Sequence, residues 1–213
     1  MKTAPEALAQ PLKNSVEQEG VGGKLFLASS SPRRKELLQQ LGLTFEVINA
    51  PIEEVALPNE SPKSFVLRMA IEKALSGFNK VAGKKIWVVG SDTAVVLSGR
   101  VFGKPKHEGD AFRMLSKLSG TAHEVLSAVA VVYDGEVFSA MSCTRVQFGH
   151  LTEHDIQAYI ETGEPFGKAG AYAIQGLGAQ FISHIEGSYS GVMGLPVYEF
   201  NQLLREAGYV KPA

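Results

Sequence analysis

Residues 27–42 read LASSSPRRKELLQQLG and place three serines ahead of Arg33, Arg34 and Lys35 at what reads as the start of a helix. Ser31 suits an N-cap and Pro32 the first helical position, and Leu37, Leu38 and Leu41 form an apolar stripe. A helix N-terminus already carries a partial positive charge, so three cations there run against the usual preference for Asp or Glu. Two readings follow. The side chains splay into water, or the missing negative charge belongs to a ligand. Free backbone N–H groups together with guanidinium groups bind phosphate well, and Ser29, Arg33 and Arg34 are the candidates. The G-x-x-x-x-G-K-[ST] pattern is absent, so this is not a P-loop.

A second group lies in VVGSDTAVV, where Asp92 and Thr93 follow Gly90-Ser91 between two apolar runs. The spacing reads as an apolar strand that stops at Gly-Ser and delivers Asp92 to a cleft. There an Asp could hold a hard divalent cation or take a proton from water, or it could only cap its own backbone in an Asx-turn. Glu53 and Glu54 follow a strand-like run in PIEEV, and either both are solvated or one faces a cleft. Lys73 sits within a helical pattern, where a lysine normally faces water, and Lys104 is held before Pro105 after a hairpin signal. In KAGAYAIQGLGAQF, Tyr172 and Gln175 are the informative side chains. A glutamine both donates and accepts, as a pyrimidine edge requires, or the segment is simply a packed loop.

These groups need elements to position them. The chain has 213 residues and 22.9 kDa, enough for one domain or two lobes about a cleft. Residues 24–213 read as that domain, and residues 1–23, rich in Pro, Gly, Gln and Glu, as a flexible tail. KLFLA and TFEVIN read as strands. Residues 61–78 form a helical pattern capped by Ser61, and KIWVV and the run after Thr93 are β-rich, with a turn at Ser98-Gly99. A helix closed by Gly120 follows, then a long hairpin turning at Asp134-Gly135 and a helix capped by Thr152. A Gly-rich stretch containing AQFISHIEG as a strand precedes a last helix in LPVYEFNQLLREAG. Helices mixed with long hairpins imply an α/β fold on a mixed sheet.

Composition narrows the classes. The net charge is −1, so no global field draws in nucleic acid or an anionic membrane. The longest apolar runs are too short to span a bilayer, and the N-terminal segment has no signal-peptide apolar region. The one cysteine, Cys143, is expected to pack as a small apolar residue; with no intrachain disulfide possible, the chain is compatible with a cytoplasmic location. The five histidines lack zinc-site spacing, and no G-x-S-x-G elbow is present.

Taken in order, LASSSPRRKELLQQLG, RMAIEKA, VVGSDTAVV, GKP, LSGTAHEVLSAVAV and GKAGAYAIQGLGAQFISHIEGSYSGVMGLP resemble the Maf family of nucleoside triphosphate pyrophosphatases over about residues 25–208. The resemblance implies an elongated mixed β-sheet with flanking helices and two lobes around a deep cleft, related to the inosine triphosphate pyrophosphatase fold. It implies hydrolysis of a nucleoside triphosphate to the monophosphate and pyrophosphate, with a divalent cation such as Mg²⁺ or Mn²⁺, in a protein that often forms a homodimer. KAGAYAIQG is similar to the subgroup acting on dTTP and UTP; the alternatives are a modified purine such as 7-methyl-GTP, or a nucleotide-binding regulator of cell division without turnover. By the same resemblance Asp92 is the catalytic acidic residue, and Arg33, Thr93 and Gln175 bear on substrate choice. Ser29, Arg34, Glu54, Lys73 and Lys104 are further polar site positions, with Glu54 and Asp92 expected to hold the metal. The family often has Gly where this chain has Ser30, a mild change.

Overall fold

The computed structural model describes residues 23–211, so the expected tail, apart from Gly23, lies outside the described residues. Strand β1 (Lys24–Leu27) leads into helix α1 (Pro32–Gln40), the two-residue strand β2 (Glu46–Val47) and helix α2 (Pro62–Phe78). Strands β3 (Ile86–Leu97) and β4 (Arg100–Phe102) form a hairpin followed by helix α3 (Glu108–Leu118). The long hairpin β5 (Ala122–Tyr133) and β6 (Glu136–Phe148) leads to helix α4 (Glu153–Glu161). Two short 3-10 turns (Ala169–Ala171 and Leu177–Phe181), strand β7 (Ile182–Glu186), helix α5 (Tyr189–Met193) and helix α6 (Val197–Glu206) complete the chain.

The strands form one mixed sheet in the order β2-β1-β3-β5-β6-β7, with β4 also paired to β3. β1 runs parallel to β2 and β3; the remaining pairs are antiparallel. The expected α/β fold on a mixed sheet is therefore present. Local chemistry sets the element ends. The Ser61 hydroxyl accepts from Ser64 N at the start of α2, and Thr152 and Asp155 cap α4 reciprocally. Asp134 and Gly135 both adopt positive φ, which a two-residue hairpin turn whose twist matches its strands requires.

β3 and β5 are buried on both faces, which is why they read as nearly unbroken apolar runs. Val89, Val95, Val125 and Val129 point into the larger cluster beneath α1, α3, α4 and α6, while Ala94, Val96, Leu126 and Ala128 pack under α2. Trp87 ties the C-terminus to the sheet. Its ring stacks on Tyr133 at 4.3 Å and its Nε1 donates to the Ala207 carbonyl at 2.8 Å.

Three sequence expectations need correction. The chain does not break at Gly90-Ser91. β3 runs through Asp92 to Leu97, because β5 pairs with it continuously from Trp87 to Val96. The TFEVIN strand shrinks to Glu46–Val47, since β1 offers only its last residues as a partner. Cys143 is exposed on β6 rather than packed in the core, where alternation turns Ser142 and Thr144 inward.

Candidate active site

The cleft arises from a gap along one edge of β3. On that edge β1 pairs with Ile86–Val89 and β4 with Val95–Leu97. Between them, residues 90–94 have β5 on one side and no strand on the other. Asp92 and Thr93 point to opposite sheet faces, yet both reach the same opening because it wraps around this free edge. The Ser29–Ser31 turn and the start of α1 stand across the gap, and the whole encloses a cleft of about 810 Å³.

Gly90 brings α2 close to the sheet. A Cβ there would sit 2.2 Å from the Ala70 carbonyl oxygen and 2.4 Å from Ala74 N. No side chain fits, so α2 lies directly on β3 and Lys73, on that same turn, is carried over Asp92. Its Nζ donates to Asp92 Oδ1 at 2.7 Å and meets Glu54 Oε1 at 2.7 Å. Lys73 is thus no wet-face lysine; its side chain is 12% exposed, against 11% for Asp92 and 51% for Glu54. Burial works to raise the Glu54 carboxyl, but the hydrogen bond and charge of Lys73, with the charges of Lys104 and Arg34, hold it below its ordinary value.

Ser31 makes no side-chain cap to α1. Instead Ser29 Oγ accepts from Ser31 N at 3.3 Å and from Arg34 Nη1 at 3.0 Å, while Arg34 Nε donates to the Gly194 carbonyl at 2.8 Å. Arg34 is buried. Desolvation pulls its pKa down from the ordinary value, Asp92 and Glu54 oppose this, and Arg33 adds to it. The guanidinium remains charged under such conditions. The Gly194 carbonyl also accepts from Ser91 Oγ at 3.0 Å and Thr93 Oγ1 at 3.3 Å, so one backbone oxygen orders α1, β3 and the turn after α5.

Of the residues singled out in the sequence, Ser29, Arg33, Arg34, Glu54, Lys73, Asp92, Thr93 and Lys104 all line the cleft. Gln175 is not brought to it. Ala171 to Ile174 pack inward and the chain then turns Gln175 to solvent, so Tyr172 is the residue of that segment facing the cavity. The Tyr172 hydroxyl is 2.8 Å from His123 Nε2. Lys168 also lines the cleft and was missed. Burial and then the nearby Arg33 lower its pKa from the ordinary lysine value, the signature of a crowded cation. Its only sequence signal is its place in GKAG, beside the Gly-rich segment.

The charged lining is therefore five cations, Arg33, Arg34, Lys73, Lys104 and Lys168, against the carboxylates of Glu54 and Asp92. In a chain of net charge −1 this is a local surplus matched to a polyanion. Among the described residues no three His, Cys, Asp or Glu side chains cluster to cage a metal. Two carboxylates do fit a hard cation that completes its shell with substrate phosphates and water. Lys73, whose ammonium occupies the space between them, would have to move aside or share them.

The sequence model described as Maf-like protein matches residues 24–207. The chain belongs to the Maf-like family. Curated members share much of its sequence. The dTTP/UTP pyrophosphatase of Hydrogenovibrio crunogenus is 59% identical over 186 residues, covering 87% of this chain and 97% of that protein. Those of Vibrio vulnificus and Bordetella avium, which carry the same name, are 51% and 46% identical, covering 86% and 89% of this Maf-like chain and 98% of each relative. Among solved structures, the Ham1 protein of Staphylococcus aureus aligns with a TM-score of 0.38 at 15% identity, over 59% of this chain and 71% of that one.

Proposed function

We propose that this chain hydrolyses dTTP and UTP to the monophosphate and pyrophosphate. The observation that carries the reading is the convergence of five cations and two carboxylates, drawn from segments far apart in sequence, on one cleft. The name shared by relatives that match nearly their whole length supports the choice of substrate.

A nucleoside triphosphate carries about four negative charges near neutral pH, a load suited to phosphate clamps of Arg and Lys. Arg33, Arg34, Lys104 and Lys168 share that charge with the N–H groups of the Ser29–Ser31 turn. Lys73 binds Asp92 through Oδ1 and leaves Oδ2 to a water. Asp92 orients that water and takes its proton as the oxygen attacks the α-phosphorus. The bond from the α-phosphorus to the bridging oxygen breaks, and pyrophosphate leaves with the electron pair. Glu54 and Asp92 would hold Mg²⁺ or Mn²⁺, which when bound supplies Lewis-acid neutralisation of the phosphates. Catalysis is then mainly positioning and charge stabilisation.

No described helix is long and apolar enough to cross a membrane. A cytoplasmic location is part of the proposal. A homodimer is part of the same reading, carried over from the family resemblance. The test is a panel of dTTP, UTP, CTP, GTP and 7-methyl-GTP, each with Mg²⁺ and with Mn²⁺, scored by pyrophosphate release. The expected result is preferential turnover of dTTP and UTP. Preference for a purine triphosphate, or tight binding with no release, contradicts the proposal.

A further inference from the structure

Residues 48–61, between β2 and α2, have no regular secondary structure, yet they supply one wall of the cleft through Ile48, Asn49, Pro51 and Glu54. Glu54 is half-exposed, so packing does not fix it. Three basic residues on or just after α2 hold this wall. Lys80 Nζ donates to the Asn49 carbonyl at 2.8 Å, and Lys73 meets Glu54. Arg68 makes the most extensive contact. Its Nε and Nη2 fork onto the two oxygens of Glu60, both at 2.7 Å, its Nη1 donates to Glu72 Oε1 at 2.9 Å, and its Nη2 also donates to the Val55 carbonyl at 2.9 Å. Glu60 Oε2 in turn accepts from Leu57 N at 3.0 Å, which closes residues 55–60 around the guanidinium. The Glu60 side chain is 8% exposed and that of Arg68 24%, and Arg68 also lies over the ring of Phe65, which lines the cleft. Arg68 itself does not line the cleft.

The Val55 carbonyl belongs to the residue directly after Glu54. Fixing that carbonyl to α2 fixes the backbone from which the Glu54 side chain leaves to meet Lys73, further along the same helix. We propose that Arg68 is a positioning residue for the hydrolysis, holding residues 55–60 on α2 so that the Glu54 carboxylate stays over Lys73 and Asp92. A lone ion pair at a half-exposed site is weak and mobile, whereas a bidentate fork with a shared backbone carbonyl sets one geometry. A lysine cannot reproduce it, because one ammonium does not span a carboxylate fork, a second carboxylate and a carbonyl. This proposal rests on the reading of the cleft as a pyrophosphatase site.

The test is a double-mutant cycle on the full chain with dTTP, comparing the parent, Arg68→Ala, Glu54→Ala and the double variant, with Arg68→Lys and Glu60→Gln alongside. Arg68→Ala is expected to lower kcat by about 10–100-fold, the range for loss of a group that orients a functional ligand. Arg68→Lys gives no rescue. Added to Glu54→Ala, Arg68→Ala costs no more than about twofold, since the group it positions is gone. Amide exchange of residues 51–60 speeds up in Arg68→Ala. Should that variant fail to fold, Glu60→Gln, which removes one charge and no atoms of the framework, carries the same kcat expectation in weaker form. Equal losses on both backgrounds, or faster loop exchange with kcat unchanged, overturns the positioning role. A parent that releases no pyrophosphate from any triphosphate, or a Glu54→Ala variant as active as the parent, overturns the reading of the cleft instead, and the positioning role with it.

Discussion

Gly90→Ala is the smallest change that separates the two halves of the site. The added Cβ would lie 2.2 Å from the Ala70 carbonyl oxygen, 2.4 Å from Ala74 N and 2.9 Å from Ala74 Cβ. Two of these are backbone atoms of α2, so no rotamer change relieves them. The helix must recede from β3 by about 1 Å to restore van der Waals distance. Overpacking of this kind costs about 1–3 kcal/mol. For a domain of this size each kcal/mol lowers Tm by about 2–4 °C, so the expected fall is about 2–12 °C. The same retreat stretches the 2.7 Å contact between Lys73 and Asp92 beyond hydrogen-bond range. A misplacement of about 1 Å at a reacting group can cost about 10²-fold, so kcat should drop by at least about tenfold. Thermal denaturation and pyrophosphate release on the same preparation measure both. Gly103→Ala is the control for Tm, because nothing lies within 4 Å of a Cβ there and Tm should hold. If Gly90→Ala melts with the parent and keeps its kcat, the close approach of α2 is not what sets the site.

Burial holds His123 down at about 4, against an ordinary value near 6.5. The unfolded chain therefore binds this proton first, and stability falls as pH drops from about 6.5 to about 4, by roughly 3 kcal/mol for this group; His123→Gln should flatten that part of the denaturation profile. The fork from Arg68 first, opposed by burial, holds Glu60 at about 2, so its contribution is complete above about pH 4.5 and is lost as pH falls through about 2; Glu60→Gln removes that acid-limb dependence in chemical denaturation. Arg34→Lys loses the paired bonds to Gly194 and Ser29, and kcat/KM for dTTP should fall about 10–100-fold, read in steady-state assays. Lys168→Ala removes one clamp cation and should raise KM by about 3–10-fold with kcat nearly unchanged.

Elements closed by their own residues were legible in the sequence. Ser61 before α2, Thr152 before α4 and Asp134-Gly135 in the long hairpin all act locally, and the structure uses each as written. The cations at Arg33 and Arg34 were legible as well, because they oppose the helix dipole and so ask for an external anion. The gap beside Asp92 was not, because it depends on where β1 stops and β4 begins along a strand that both share. Lys73 could not be read as inward from helical spacing alone; its direction follows from the side-chain-free contact at Gly90. Nothing in RMAIEKA singled out Arg68, since Glu60 and the Val55 carbonyl reach it from an irregular loop. Gln175 carried a chemical argument without a geometric one, and the backbone turns it outward.

The central claim is that Asp92, held by Lys73 within the ring of cations, prepares the water that splits the triphosphate. Pyrophosphate release from dTTP by Asp92→Asn, compared with the parent under saturating substrate and with nucleotide binding and Tm measured alongside, tests it most directly. The account predicts a loss of about 10²–10⁴-fold in kcat with the fold and nucleotide binding retained. An Asp92→Asn protein that releases pyrophosphate at near the parent rate contradicts it.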